Sequence, residues 1–182
     1  MKKLIICAVC TVLAVATNAA TVGWTMAGAS AYVGDAYQFL VIGQNGVESV
    51  AAIASILADG KSIDSYAFGS GIVAANGSAG VLANASGKTL DAGTYTGFFV
   101  LFDSATPEAG KSKFVVVDGA ATLTKTIAAT TATTLFTTGS ASSIINNTAN
   151  WGSYGTSSIP EPTSAMLLVL GLCGLALKRK NA

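Results

Sequence analysis

The stretch Tyr95-Thr96-Gly97-Phe98-Phe99-Val100-Leu101-Phe102 is the clearest strand signal in this sequence, because aromatic and β-branched residues fill most of its positions. Two further runs of strand-forming residues follow at 113–117 and 121–127, after a loop at 103–111. Asp118-Gly119 lies between them and favours a tight turn. The three runs therefore predict an antiparallel meander of neighbouring strands.

The segment before this meander predicts one strand and one helix. Residues 37–42 form a dense apolar run that suits a buried strand, and Gly43-Gln44-Asn45-Gly46 ends it. Residues 47–58 then follow the helical period, and Asp59-Gly60 ends them. The apolar positions with this spacing are Val50, Ile53, Ala54 and Leu57. We expect their stripe to pack on the sheet rather than to bind a partner.

A further pair of strands is expected at 72–75 and 80–83, because Asn76-Gly77 between them tolerates the positive φ angles of a hairpin turn. Together the strands predict a mainly β domain at residues 21–145, an antiparallel sandwich or jelly-roll-like fold with one short amphipathic helix. The helix leaves a compact α+β fold as the alternative.

The N-terminus has the pattern of a secretory signal peptide at residues 1–20. Lys2 and Lys3 are followed by the apolar run 4–15 and by small residues that offer signal peptidase a cleavage site after Ala19 or Ala20. An uncleaved membrane anchor is the alternative, but a run of twelve residues is short against the roughly 20 that a span needs. The pattern therefore predicts export.

The C-terminus combines three features in a fixed order. Pro160-Glu161-Pro162 comes first, the uncharged apolar run 165–177 follows, and Lys178-Arg179-Lys180 comes last. The prolines favour an extended backbone, and the three cations favour a cytoplasmic end. A transmembrane helix is predicted at 163–177. A core helix is the alternative on length alone, but the flanking motif and cations argue against it.

This tail resembles the PEP-CTERM sorting signal of exosortase substrates. The resemblance covers 159–182 and departs modestly in having Lys178 and Lys180, where arginine is commoner in that family. It implies processing by exosortase at a Gram-negative-type envelope, often in organisms that make exopolysaccharide. It also implies a single-pass membrane precursor that becomes attached to the surface or released. The resemblance does not identify the role of residues 21–145.

Composition narrows the functions open to the domain. All nine acidic residues but only five of the ten basic residues lie between Thr21 and Pro162, so this part has a net charge of −4 and is a poor partner for nucleic acid. The chain has no histidine, and its three cysteines are at 7, 10 and 173, within the two terminal segments. Cysteine nucleophiles, Ser-His-Asp triads and His- or Cys-based zinc sites are therefore excluded from the domain. We expect no enzyme activity, cofactor or metal.

Two groups of residues are candidate carbohydrate contacts. Trp24, Trp151 and Tyr154 could stack on sugar rings, although core packing is the more common role of such aromatics. Thr122, Thr124 and Thr126 alternate along one predicted strand face. Flat hydroxyl arrays of this kind can bind sugars or ice, but threonine is also an ordinary strand residue. The Thr-, Ser- and Ala-rich stretch that continues through Ser143 fits an exposed surface or linker.

The acidic residues form no recognised metal or catalytic motif. Asp59 and Asp64 flank Lys61, while Asp103 and Glu108 share a loop, and neither pair matches a calcium-binding pattern. We expect them to be solvated loop charges. Glycoside hydrolysis would need two carboxylates in a defined spatial relation, which a sequence does not reveal.

The whole pattern predicts an exported, exosortase-sorted structural protein of the envelope or extracellular matrix. Residues 146–158 are polar and predict a spacer between the domain and the tail. The expected partners are signal peptidase, exosortase, the membrane and an exopolysaccharide. A carbohydrate-binding adhesin is the alternative, and a carboxylate-dependent hydrolase is the third hypothesis.

Overall fold

The run at 95–102 lies within the central strand of the larger of two β-sheets, in a computed structural model that describes residues 19–155. The domain is mainly β, with two sheets and few helices, and is consistent with a β-sandwich. Ala19 and Ala20 are described, whereas most of the predicted signal peptide, the end of the predicted spacer, the tail at 159–182 and its predicted helix at 163–177 lie outside the described residues.

Ten strands and two α-helices follow one another along the described chain. The strands are β1 (Ala20–Ala27), β2 (Ala36–Val41), β3 (Gly69–Ile72), β4 (Ala79–Val81), β5 (Lys88–Leu90), β6 (Gly93–Phe102), β7 (Lys113–Val117), β8 (Thr124–Ile127), β9 (Thr133–Ser140) and β10 (Trp151–Ser153). The helices are α1 (Val50–Ala58) and α2 (Ser142–Ile145).

The large sheet has the strand order β10-β7-β6-β2-β3, and all of these neighbours are antiparallel. The predicted strands at 37–42, 95–102 and 113–117 are confirmed as β2, β6 and β7. The small sheet contains β4, β1, β5 and β9. Here β1 pairs antiparallel with β4 and β5 but parallel with β9, so the expectation of purely antiparallel pairing is wrong for this sheet.

The predicted helix is confirmed as α1, which lies against the large sheet. Ser49 caps its N-terminus, because the Ser49 hydroxyl accepts the backbone N–H of Ala52 at 3.1 Å. Ile53 and Leu57 are buried against the sheet, as the helical period predicted. Gly60 follows the helix with a φ of 73°, a conformation that glycine adopts without a steric penalty.

The large sheet separates two hydrophobic clusters. The intersheet cluster fills the space between the two sheets and includes Trp24, Phe39, Phe99 and Phe136. The helix-side cluster lies on the other face of the large sheet, under α1. Its members include Leu40, Ile53, Leu57, Phe98, Phe102 and Tyr154. Alternate residues of β2 and β6 point to opposite clusters, as the two-residue period of a strand requires.

The predicted hairpin around Asn76-Gly77 forms its turn but not its strand pair. The Ala74 N–H donates to the Ser78 carbonyl oxygen at 2.8 Å across the turn. However, β3 pairs with β2 in the large sheet and β4 pairs with β1 in the small sheet. A Cβ on Gly80 would lie 2.1 Å from the Trp24 carbonyl oxygen, so the missing side chain lets β4 approach β1. The turn therefore carries the chain between sheets.

The predicted meander is also only partly correct. β7 pairs with the C-terminal half of β6, and β8 pairs with the N-terminal half of the same strand instead of with β7. The segment between β7 and β8 leaves the sheet and includes a 3₁₀ turn at Ala121–Leu123. Leu123 is fully buried in the intersheet cluster. The segment between β7 and β8 is therefore not a simple turn, because it contributes a residue to the core.

Two regions that the sequence predicts as linker-like belong to the fold. β9 pairs with β1 along almost its whole length, and its Phe136 is fully buried. Within the predicted spacer at 146–158, β10 pairs with β7 in the register Trp151 to Val115. The fold therefore continues at least as far as Gly155, ten residues beyond the predicted boundary at 145.

Candidate functional site

A cleft opens at one end of the large sheet, beside the C-terminal end of α1. It has a volume of about 420 Å³, within the range of small-molecule sites. We call it the helix-side cleft. It is lined by Ala36, Tyr37, Gln38, Leu57, Ser62, Ile63, Asp64, Ser70, Gly71, Ile72, Phe102, Ala105, Pro107 and Tyr154.

A buried glutamine, Gln38, is the polar centre of this cleft. It lies on β2 with only 8% of its surface exposed, on the face that carries Leu40 into the helix-side cluster. Its Nε2 donates to Asp64 Oδ1 at 2.6 Å. Its Oε1 is buried and has no hydrogen-bond partner within the described residues. A buried acceptor without a donor costs about 1–3 kcal/mol, so this oxygen lowers the stability of the fold.

A short loop after α1 supplies the other half of the polar centre. Asp64 Oδ2 accepts the Ser62 hydroxyl at 2.7 Å, and the Asp64 backbone N–H donates to Ser62 Oγ at 3.1 Å. Ile63, between them, is buried in the helix-side cluster and holds this loop against the domain. The Ser62 hydrogen bonds and the buried Ile63 thus orient the Asp64 carboxylate towards Gln38.

Apolar side chains lie behind the remaining wall and support it. Leu57 and Phe102 are buried, and the Tyr154 ring meets the Phe102 ring edge to face at a centroid distance of 5.9 Å. The Tyr154 backbone is held on both sides, since its N–H donates to the Ser112 carbonyl and its carbonyl accepts the Gly110 N–H. Ile72 at the rim is 62% exposed. The accessible surface of the cleft is nevertheless more polar than apolar, because Leu57 and Phe102 are buried behind it.

The three aromatics predicted as sugar contacts do not share one surface. Trp24 is 3% exposed in the intersheet cluster, and its ring stacks on Phe39 with centroids 5.2 Å apart. Trp151 is half-buried on the same side, stacks on Tyr32, and donates its Nε1–H to the Ile145 carbonyl at 2.7 Å. Tyr154 lies on the opposite face of the large sheet, in the helix-side cluster. Only Tyr154 borders the helix-side cleft.

The predicted threonine face is divided between a strand and a turn. Thr124 and Thr126 lie on β8, and their hydroxyls are 3.0 and 3.1 Å from those of Thr96 and Thr94 on β6. Thr122 lies in the preceding 3₁₀ turn and donates its hydroxyl to the Thr137 carbonyl instead. The exposed array thus contains four threonines across two strands, and their hydroxyls pair with one another.

The acidic residues of the domain are found mainly in exposed local pairs. Asp59 pairs with Lys61 at 3.2 Å, and Glu108 pairs with Lys111 at 2.5 Å. Asp103 accepts the backbone N–H of Lys113 at 2.6 Å. Within residues 19–155, no group of three or more acidic side chains is arranged to hold a metal ion.

One carboxyl group near the cleft has a shifted proton affinity. Partial burial raises the pKa of Asp35, and the neighbouring Asp103 carboxylate raises it further. Asp35 directly precedes β2, and its carbonyl accepts the Val73 N–H at 2.9 Å. Its backbone therefore joins β2 to the end of β3 while its side chain lies beside a like charge.

The predicted sorting residues lie beyond the described chain. These residues are Pro160, Glu161 and Pro162 of the sorting motif and Lys178-Arg179-Lys180 of the membrane stop. Of the predicted signal cleavage residues, Ala19 is exposed and Ala20 is buried as the first residue of β1. Among the helices of residues 19–155, none has both the length and the apolar character needed to cross a membrane.

No protein-family model matches the chain, and neither does any curated protein or solved structure. Function is therefore inferred from the residues of the chain itself. Sequence reasoning missed Gln38 as a site residue, although one signal was visible. Gln38 is the single strongly polar residue in the run Tyr37-Gln38-Phe39-Leu40-Val41-Ile42. A buried strand rarely contains such a side chain without a partner.

Proposed function

We propose that the protein is an exported structural component of the cell envelope or extracellular matrix, sorted by an exosortase. The observation that carries this proposal is the order of Pro160-Glu161-Pro162, an apolar run and Lys178-Arg179-Lys180, in a chain that begins with a signal-peptide pattern. The predicted transmembrane segment at 163–177 serves as a transient single-pass anchor with its C-terminus in the cytoplasm. Exosortase then cuts near the Pro-Glu-Pro motif.

The extent of the folded domain fits this processing scheme. Gly155 is the last described residue, and only four residues separate it from Pro160. Gly155 and Pro160 are therefore at most about 18 Å apart, because five extended steps join them. Before cleavage the domain would therefore lie close to the outer membrane surface, with its C-terminal end facing the bilayer. After cleavage it would remain on the surface or leave in the medium, where it contributes to a matrix that contains exopolysaccharide.

Intact mass spectrometry of protein from envelope and culture supernatant tests the sorting proposal. The wild-type mass should begin at Ala20 or Thr21 and end near residues 160–163. Glu161→Ala should retain the tail and accumulate in the membrane fraction. Glu48→Ala changes an exposed glutamate outside the tail and should be processed like the wild type. A wild-type mass that still contains Lys178–Ala182 would overturn the exosortase proposal and indicate a stable single-pass membrane protein.

A carbohydrate-binding adhesin is the second candidate function, and the helix-side cleft is the observation that favours it. The cleft brings Tyr154, one of the three predicted sugar contacts, beside the polar pair Gln38 and Asp64. An aromatic ring beside a few well-placed polar groups is common in small-molecule sites. A glycan array probed with the full chain tests this function, and the absence of any bound glycan would count against it.

A carboxylate-dependent hydrolase is less well supported by the same cleft. Hydrolysis of a glycosidic bond normally uses two carboxyl groups on either side of the bond. Asp64 is the sole carboxylate among the residues that line the cleft. The second candidate function is therefore carbohydrate binding without hydrolysis.

A further inference from the structure

The strand β3 forms an edge of the large sheet, and its outward side has unused hydrogen-bonding groups. The Val73 N–H donates to the Asp35 carbonyl at 2.9 Å, which fixes the hydrogen-bond pattern between β2 and β3. Because successive residues of a strand turn their backbone groups to opposite sides, Gly71 bonds β2, whereas Ser70 and Ile72 present their N–H and carbonyl groups away from it. Within residues 19–155, no other backbone group bonds these outward groups.

The other sheet edges of the described domain are protected in ways that β3 is not. Natural sheets protect an edge with a charged residue, a proline, a very short strand or a covering segment. β5 and β8 carry Lys88 and Lys125, β4 and β10 pair over three residues each, and the 3₁₀ turn at Ala121–Leu123 lies against β9. Residues 65–87, which contain β3, have no charged residue and no proline. The β3 edge is therefore open to pairing with another strand.

The charge of the domain decides which partner fits this edge. The chain between Thr21 and Pro162 has a net charge of −4, so two copies repel one another over much of their surfaces. This repulsion is weakest at the uncharged stretch 65–87. A strand of opposite charge gains nothing from an edge that has no charge of its own. The same edge of a second copy, in contrast, presents matching donors and acceptors when it runs antiparallel, because a twofold contact is self-complementary.

We propose that two copies of the chain associate through β3, in antiparallel register about a twofold axis at Gly71. In this register Ser70 of each copy lies opposite Ile72 of the other copy, and the two residues exchange both backbone hydrogen bonds, about four bonds in all. Gly71 meets its own counterpart in the closely spaced pair, where Cα atoms approach to about 4.5 Å. No side chain has to move at this closest approach, because glycine has none.

The side chains of β3 favour the same arrangement. Ile72 is 62% exposed, and the two Ile72 side chains would lie diagonally across the new strand pair, on one face of a sheet that continues through both copies. Gly69 and Gly71 face the other way, where an added Cβ would meet the rings of Trp24 and Tyr37. The pairing therefore covers an exposed apolar side chain and leaves the intersheet cluster unchanged. It adds an assembly step to the structural role proposed above and is independent of exosortase processing.

Amide hydrogen exchange of the ¹⁵N-labelled full chain, followed by nuclear magnetic resonance in a zwitterionic detergent, tests this pairing residue by residue. The chain is measured at a low and at a high concentration, and analytical ultracentrifugation gives the mass of the species in each sample. The Gly71 amide bonds β2 within one copy and should be protected at both concentrations. The Ser70 and Ile72 amides should exchange more slowly by about tenfold or more at the concentration where the chain is a dimer.

Two variants of the edge and a matched control identify the contact. Ile72→Lys places like charges close to the twofold axis at an exposed position, and Thr133→Lys makes the same charge change at an exposed position of β9. Ser70→Pro removes an outward N–H but no bond to β2, and it keeps the test decisive if Ile72→Lys does not fold. Each edge variant should weaken dimerisation by about tenfold or more, whereas Thr133→Lys should dimerise like the wild type.

Three outcomes would overturn the proposal. A chain that stays monomeric at the high concentration would do so. A dimer in which the Ser70 and Ile72 amides exchange as fast as in the monomer would place the contact elsewhere, for example in the tail. A dimer that both edge variants leave intact would exclude β3 as well. None of these results bears on the sorting proposal, because the mass of the processed chain decides it.

Discussion

The two faces of the large sheet differ in how completely they are covered. On one face, the small sheet closes over the intersheet cluster, where the Phe39 ring contacts Trp24, Phe99 and Phe136 at centroid distances of 5.0–5.5 Å. On the other face, a nine-residue helix and several loops cover the helix-side cluster. A short helix cannot cover the whole sheet, so the cleft remains at its end. The sealed face stabilises the fold, and the incompletely covered face provides the candidate site.

Phe39→Ala should give the largest loss of stability, because Phe39 is fully buried at the centre of the sealed face. Removing a buried phenylalanine ring typically costs about 3–5 kcal/mol. That is a large part of the total stability of a domain of this size. Urea unfolding followed by tryptophan fluorescence measures the loss. Phe39→Leu keeps much of the volume and should lose less than half as much. A loss below about 1 kcal/mol for Phe39→Ala would mean that this cluster is not the main core.

Leu57→Ala should have a smaller effect, because Leu57 lies on α1 itself, on the less completely covered face of the sheet, where a short helix can shift towards the cavity. We expect a loss of about 2–3 kcal/mol, partly offset by the favourable helix propensity of alanine. Ser55→Ala on the exposed side of α1 is the control and should change stability by less than about 0.5 kcal/mol. If Leu57→Ala cost as much as Phe39→Ala, the two faces would contribute equally, and the contrast between them would fail.

Asp35→Asn should have the smallest effect, and that effect should depend on pH. Burial and Asp103 raise the pKa of Asp35 in the folded state above its ordinary value of 3.8. The folded protein thus holds this proton more tightly, so stability falls as pH rises from about 3.8 through the raised pKa. Removing the charge should stabilise the protein at pH 7 by no more than about 0.5 kcal/mol, because solvent screens a partly exposed group.

Thermal unfolding at two pH values checks this prediction. The melting temperature of Asp35→Asn should exceed that of the wild type at pH 7, and the difference should disappear near pH 3. Asp91→Asn changes an exposed carboxyl on another loop and serves as the control. A lower melting temperature for Asp35→Asn at pH 7 would show that the charged carboxylate is stabilising in the folded state.

The contrast between the two faces also explains which elements could be predicted from the sequence. β2, β6, β7 and α1 are dense apolar runs or periodic segments, and they form where local pattern and packing agree. Half of the residues in β9 are threonine, and its strand character depends on parallel pairing with β1, more than 100 residues away. Such non-local pairing leaves almost no local signal. Predicting the small sheet from the sequence would thus have required pairing strands from the two ends of the domain.

The candidate site was predictable only in part, for a related reason. Tyr154 was one of the three aromatics predicted as sugar contacts. Gln38 was visible as a polar residue within an apolar run. Asp64 is one of several loop acids, and nothing in its neighbourhood indicates that it would reach Gln38, 26 residues earlier. Trp24 and Trp151 were candidates by residue type alone. Their placement on the sealed side follows from strand alternation in β1 and β10, neither of which was predicted as a strand.

The way the chain leaves the domain has a mechanical consequence. β10 is a three-residue edge strand, and the following Tyr154 and Gly155 are held by hydrogen bonds to Ser112, Gly110 and Leu57. A pulling force applied through Gly155 would load these few bonds and the Tyr154 ring before it reached the intersheet cluster. The first segment to detach would carry the Tyr154 ring away from the wall of the cleft. Tension at this end of the domain would thus widen the cleft while the sandwich stayed folded.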